Sequence, residues 1–169
     1  MYLKRKTDDF LVQWKSDPDR KPLIIRGPRQ VGKTETIRKF AAENYENVIE
    51  INFVEQPKYK IITGESYEPG EIIKSISLLD NNKRFVPGKT LLFFDEIQDF
   101  PEIATSLKFF CMDGRFDVIC SGSMLGINYN RIESNSVGIK QTTRCILLIL
   151  RSFCGQRVMI MQPERYLLT

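Results

Sequence analysis

Residues 27–34, GPRQVGKT, place two glycines, a lysine and a threonine in the spacing G-x-x-x-x-G-K-T. Glycines let backbone N–H groups turn inward around phosphate oxygens, and the lysine of such a loop reaches the β and γ phosphates of a nucleoside triphosphate. The neighbouring threonine hydroxyl ligates Mg²⁺. We therefore predict a phosphate-binding loop with Lys33 on phosphate and Thr34 on the metal. The stretch expected to contact nucleotide comprises Gly27, Pro28, Arg29, Gln30, Val31, Gly32, Lys33, Thr34 and Glu35.

Two adjacent carboxylates, Asp95 and Glu96, follow the apolar residues 91–94. A buried strand that ends in acids at the open edge of a sheet can hold Mg²⁺ through water, and Asp95 is the candidate for this role. Glu96 points differently along the strand end and could polarise an attacking water as general base. Beside a phosphate loop, this pair indicates a hydrolysing ATPase with a catalytic glutamate.

Five further polar residues are expected near the same pocket. Ser121 and Ser123 end another predicted strand, where either hydroxyl could orient the water or sense the γ-phosphate, although a plain Ser/Gly turn would have the same sequence. Arg26 and Arg29 either contact phosphate or face solvent. Asn52 lies at the end of a further predicted strand and is a polar residue at the edge of the pocket.

Composition excludes several other kinds of chemistry. The 169-residue chain has no histidine, which removes Ser-His-Asp and Cys-His catalysis and most catalytic zinc sites. Its four cysteines form no C-x-x-C pair, so neither a zinc site nor a redox motif is indicated. No run approaches the roughly 18 to 20 apolar residues that cross a bilayer, and the N-terminus lacks a signal-peptide core. We expect a cytoplasmic protein with no membrane partner.

The formal charge of +4 lies at the C-terminal end of the chain. Residues 139–169 contain five basic residues and one acidic residue, which leaves 20 of each sign in residues 1–138. A basic tail can bind phosphates without sequence preference, so nucleic acid remains an open partner on this evidence.

The candidate site residues must be positioned by strands and helices, which alternate along the predicted chain. Apolar spacing predicts strands at 22–26, 48–53, 90–94 and 116–120. It predicts helices within 8–20, where Asp17-Pro18 closes the helix, and at about 33–44, 71–80 and 102–112. This alternation argues for an α/β fold of three layers, α/β/α, around a parallel sheet. Because a strand and a helix intervene between the phosphate loop and the two carboxylates, we expect the fourth strand between the first and the third.

Four motifs, GPRQVGKT, LLFFDEIQ, SLKFF and SGSMLG, together resemble bacterial and archaeal AAA-type P-loop ATPases, in which a C-terminal domain of unknown function normally follows the AAA domain. The resemblance implies an ASCE/AAA-like fold with ATP and Mg²⁺ as cofactors. It implies Lys33 and Thr34 as Walker A contacts, and Asp95 and Glu96 as the Walker B metal carboxylate and base. It also implies Ser123 near the sensor position, so the catalytic candidates are Glu96, Lys33 and Ser123.

The resemblance covers about residues 11–138, and residues 139–169 do not continue it. We expect an N-terminal helix on the core (1–20), a P-loop ATPase domain (21–138) and an atypical tail (139–169). The sheet is then incomplete at its C-terminal edge, where the apolar residues 145–150 could take the open place. We hypothesise a truncated chain with a frameshift near Gly138 or Ile139. Resequencing that finds an intact frame, with codons that cannot yield the family's missing segment in another frame, would refute it.

Three functional interpretations remain open. The first is binding of ATP and Mg²⁺ with hydrolysis, helped by an arginine from a neighbouring subunit or domain, or by Arg115 or Arg131 of this chain. The second is an inactive nucleotide-binding remnant of a truncated ATPase. The third is a nucleic-acid-associated regulatory NTPase. The expected partners are ATP and either a second copy of the chain or a missing C-terminal domain.

Overall fold

The computed structural model describes residues 6–28, 30–123 and 146–149. Within these ranges the helices are α1 (Lys6–Ser16), α2 (Lys33–Asn44), α3 (Pro69–Leu79) and α4 (Ile103–Asp113). The strands are β1 (Leu23–Gly27), β2 (Asn47–Asn52), β3 (Thr90–Asp95), β4 (Asp117–Ser123) and β5 (Ile146–Ile149), and short 3₁₀ turns span Pro57–Ile61 and Ile97–Asp99. None of the helices in these ranges has the length and apolar character that a bilayer crossing requires.

The described strands form one parallel sheet in the order β2-β3-β4-β1-β5. The predicted α/β class is confirmed, and β4 lies between β1 and β3 as expected. The edge that was expected to be incomplete carries β5, which lies within the apolar run 145–150 and pairs with β1 along residues 146–149. An open edge of β1 would leave backbone N–H and C=O groups unpaired, and an apolar strand satisfies them.

β3 is buried on both faces because its alternate side chains enter two different helical layers. Leu91 and Phe93 pack with α1 and α2, whereas Leu92 and Phe94 pack with α3 and α4. All four side chains are fully buried. The continuous apolar run that marks this strand in the sequence is therefore the pattern of a central strand covered on both sides.

The N-terminal helix α1 is held to the core by Leu11 and Trp14, which are both buried against α2, β1 and β3. The Trp14 indole N–H donates to the Lys21 carbonyl at 2.8 Å, and its ring meets Phe40 edge-on with 6.3 Å between ring centroids. The helix ends at Ser16, directly before the Asp17-Pro18 pair that was expected to close it. Asp17 precedes a proline, and a residue in that position disfavours helical dihedrals.

A polar cluster lies at the end of the sheet opposite the phosphate loop. Asp117, at the start of β4, accepts from Arg20 Nε at 2.7 Å and from the Tyr45 hydroxyl at 2.8 Å. Desolvation raises the pKa of Tyr45 far above its ordinary value, and the charge of Asp117 adds to the effect. The carboxylate therefore satisfies two donors from two different segments of the chain.

Asp117→Ala should lower the free energy of unfolding by about 1 to 3 kcal/mol, because it removes the acceptor of the partly buried Tyr45 hydroxyl and of Arg20 Nε. Urea unfolding measures the change. Asp113→Ala is the matched control, since Asp113 pairs with the half-exposed Arg115 at 2.8 Å and such pairs contribute about 0 to 1 kcal/mol. Equal losses in the two variants would contradict the prediction.

Candidate functional site

The loop between β1 and α2 folds around the amine of Lys33. This side chain is 6% exposed, and its Nζ donates to the carbonyls of Gly27 at 3.1 Å and Pro28 at 2.7 Å. Gly32 has φ 77° directly before α2, and Gln30 has φ 62°. Both residues have left-handed backbone conformations, which are uncommon for residues other than glycine. These conformations let the loop turn sharply into the helix.

The other residues of the predicted loop have different surroundings. Pro28, Gln30 and Glu35 are exposed, with Glu35 in the first turn of α2, and Val31 is half-buried against the layer of α1 and α2. Arg29 lies outside the described residues. The first turn of α2 directs backbone N–H groups and the positive end of the helix dipole toward the loop, an arrangement that favours anions.

The side chains of Thr34 and Asp95 meet across the carboxyl end of the sheet. The Thr34 hydroxyl donates to Asp95 Oδ2 at 2.9 Å, although Thr34 lies in the first turn of α2 and Asp95 ends β3. Asp95 is only 2% exposed. The structure thus brings together the two residues that the sequence assigns to the metal.

Three more groups contact the Asp95 carboxylate and fix its orientation. The Ser121 hydroxyl donates to Oδ1, and the backbone N–H of Glu96 donates to Oδ1 at 3.0 Å. Asn52 Nδ2 lies 3.4 Å from Oδ2. β4 extends to Ser123, beyond the predicted end at 120, and its residues 121–123 pair with β1, which holds Ser121 where its hydroxyl reaches Asp95. Polar groups at the carboxyl ends of three neighbouring strands, β2, β3 and β4, therefore surround the Asp95 carboxylate.

Glu96 is joined to β4 through Gln98, a residue that the sequence reasoning did not select. Gln98 Nε2 donates to Glu96 Oε2, and the backbone N–H of Ser123 donates to Gln98 Oε1 at 3.1 Å. Glu96 itself adopts φ 55°, in the left-handed region. The motif DEIQ contained the signal, because its glutamine follows the predicted base by two residues. Ser123, the predicted sensor, is 4% exposed and makes this contact through its backbone.

The arginines near the site differ in environment. Arg26 is half-buried, with Nε and Nη2 shielded from solvent, and desolvation lowers the pKa of Arg26 to about 10. Arg115 precedes β4 and pairs with Asp113, at the end of the sheet opposite Ser123. Arg131 lies outside the described residues.

A family model described as an AAA domain matches residues 19–154. This chain belongs to the AAA domain family. The match extends past Gly138 and includes β5. A structural neighbour, "Structure of C. elegans PCH-2", aligns with a TM-score of 0.49 and 10% sequence identity over 86% of this chain and 42% of that chain. The present chain thus spans less than half of that neighbour's length, and no curated protein matches it.

Because the chain belongs to the AAA domain family, it contains a nucleotide-binding domain of the ATPase type. The donor set fits Mg²⁺, since a threonine hydroxyl and an aspartate oxygen lie 2.9 Å apart and oxygen atoms are the ligands this ion prefers. Among the described residues no group of three or more His, Cys, Asp and Glu side chains could hold a metal ion by itself. Mg²⁺ usually takes one or two protein ligands together with phosphate oxygens and water, so Thr34 and Asp95 would be enough to hold it beside a nucleotide.

Proposed function

We propose that this AAA domain binds ATP together with Mg²⁺ and hydrolyses it to ADP and inorganic phosphate. The observation that carries the proposal is the 2.9 Å contact between the Thr34 hydroxyl and Asp95 Oδ2, beside the buried amine of Lys33. Lys33 and Thr34 begin α2, directly after the loop that follows β1, and Asp95 ends β3; β4 separates β1 from β3 in the sheet. Residues 21–138 would supply this whole site as the ATPase domain.

Binding would rest on charge neutralisation. Lys33 would hold the β and γ phosphates, helped by the N–H groups of the first turn of α2, while Thr34 and Asp95 would hold Mg²⁺. When bound, the ion neutralises phosphate charge. The hydrogen bonds of Lys33 to the Gly27 and Pro28 carbonyls keep its amine within the loop.

Hydrolysis would depend on Glu96 as general base. Its carboxylate would accept a proton from water while the water oxygen forms a bond to the γ-phosphorus and the bond from that phosphorus to the bridging oxygen breaks. Ser121 would keep Asp95 oriented, and Ser123 would act near the sensor position. Because Arg115 lies at the opposite end of the sheet, we infer that the cation for the developing charge comes from Arg131 or from a neighbouring subunit or domain.

Lys33→Ala should raise the dissociation constant for a fluorescent ATP analogue in the presence of Mg²⁺ about tenfold or more, a loss of about 1.4 kcal/mol. The variant removes the amine that lies within the loop. Equilibrium titration of the full chain measures the effect, and circular dichroism melting checks that the variant is folded.

Lys74→Ala is the matched control because Lys74 is 64% exposed on α3, away from the loop. It should bind the analogue as the unmodified protein does. If the unmodified protein gives no saturable signal, or if a folded Lys33→Ala protein binds equally well, the proposed function is wrong.

A further inference from the structure

We propose that Gln98 is a positioning residue that ties the Glu96 carboxylate to the end of β4 and so sets the direction in which Glu96 faces its water. This inference rests on the proposed role of Glu96 in hydrolysis. Gln98 lies in the 3₁₀ turn Ile97–Asp99 that follows β3, and it is half-buried.

The two ends of the Gln98 amide have different partners. Its Nε2 donates to Glu96 Oε2, and its Oε1 accepts the Ser123 backbone N–H at 3.1 Å. Nε2 also lies 3.4 Å from Asp99 Oδ2. A carboxamide donates through its nitrogen and accepts through its oxygen, whereas a carboxylate at this place would only accept. The pair of contacts therefore depends on the amide itself and not only on the length of the side chain.

Ser123, whose backbone N–H binds Gln98, lies next to the strand that enters the phosphate loop. Ser123 stands opposite Gly27 in the pairing of β4 with β1, and the Gly27 carbonyl accepts from Lys33 Nζ at 3.1 Å. Glu96 is thus connected, through Gln98 and Ser123, to the strand that opens into the loop. This places the carboxylate on the β4 side of β3, which is the side where Lys33 lies.

The backbone of Glu96 supports the same conclusion. A non-glycine residue in the left-handed region persists where its surroundings over-determine it, and such residues cluster at functional sites. Glu96 has φ 55° and ψ 46°, its N–H donates to Asp95 Oδ1 at 3.0 Å, and Gln98 holds its side chain. Backbone and side chain are therefore fixed by separate contacts.

Removing the amide should separate turnover from binding. Gln98→Met should lower kcat about 10- to 100-fold while KM stays within about twofold. A general base displaced from its productive position slows the chemical step by about this factor. Gln98→Glu should lower kcat at least as far, since it can still accept the Ser123 N–H but offers no donor to Glu96. Gln13→Met, on the exposed face of α1, is the matched control and should leave both constants unchanged.

Two kinetic outcomes would overturn the proposal. One is an unchanged kcat in folded Gln98→Met and Gln98→Glu proteins. The other is a fall in kcat with an equal loss of nucleotide affinity, because a general loosening of the site, and not the placement of Glu96, would produce it.

A measurement without nucleotide tests the link independently of turnover. In ¹⁵N-labelled full-length protein, Glu96→Gln should shift the backbone amide resonance of Ser123, and the same change in a Gln98→Met background should not. No shift in the unmodified background, or an equal shift in both, would overturn the link. If the protein releases no phosphate, the proposed function fails, and this experiment still decides whether Gln98 links Glu96 to Ser123.

Discussion

Glu96→Gln is expected to lower kcat for ATP hydrolysis about 100-fold or more while leaving nucleotide affinity within about twofold. Glutamine has the shape of glutamate, and its side-chain oxygen can still accept from Gln98 Nε2, so the residue should stay in place. It has no basic carboxylate to take a proton from water. Lys33, Thr34 and Asp95 remain unchanged and should bind ATP and Mg²⁺ as before.

Phosphate release under saturating ATP and titration of a fluorescent analogue measure the two quantities on the same preparation. Glu102→Gln is the matched control, because Glu102 is exposed next to α4 and should not affect either one. Equal phosphate release from the Glu96→Gln and unmodified proteins would remove Glu96 from the role of base. Binding without any release by the unmodified protein would favour the non-hydrolysing interpretation.

Phe94→Ala should lower the free energy of unfolding by about 3 to 5 kcal/mol. Phe94 is fully buried between β3 and the layer of α3 and α4, where its ring stacks on Phe53 with 5.9 Å between centroids and lies 6.5 Å from Phe110. The truncated side chain would leave a cavity that these neighbours cannot fill. Domains are stable by roughly 5 to 15 kcal/mol, so much of the total would be lost.

Urea unfolding followed by circular dichroism gives the difference in stability. Leu78→Ala is the control, since Leu78 is 76% exposed on α3 and its truncation should change stability by less than about 0.5 kcal/mol. A loss below about 1 kcal/mol in Phe94→Ala would mean that this core rearranges around the smaller side chain, contrary to the prediction.

The elements around the phosphate loop could be predicted from sequence because local signals define them. The predicted helix 33–44 coincides with α2, since Gly32 and the loop before it determine where the helix begins. The place of β4 between β1 and β3 follows from the helix and strand that intervene between the loop and Asp95. That the site residues bind nucleotide stays a prediction, and Arg29 lies outside the described residues.

The contacts that join separate strands could not be predicted, because they depend on strand register and on side-chain geometry. Ser121 meets Asp95 only because β4 continues past residue 120 to Ser123, where it pairs with β1. Gln98 meets the Ser123 amide for the same reason. The Arg20, Asp117 and Tyr45 cluster joins three segments that share no sequence pattern.

The two-sided burial of β3 limits how this gene can vary in length. Because odd and even positions of the strand belong to opposite helical layers, a codon gained or lost between residues 91 and 94 would exchange the two sets of side chains. It would also displace Asp95 and Glu96 by about 3.3 Å along the strand axis. Insertions and deletions among natural homologues should therefore fall in the connections between elements and spare this strand.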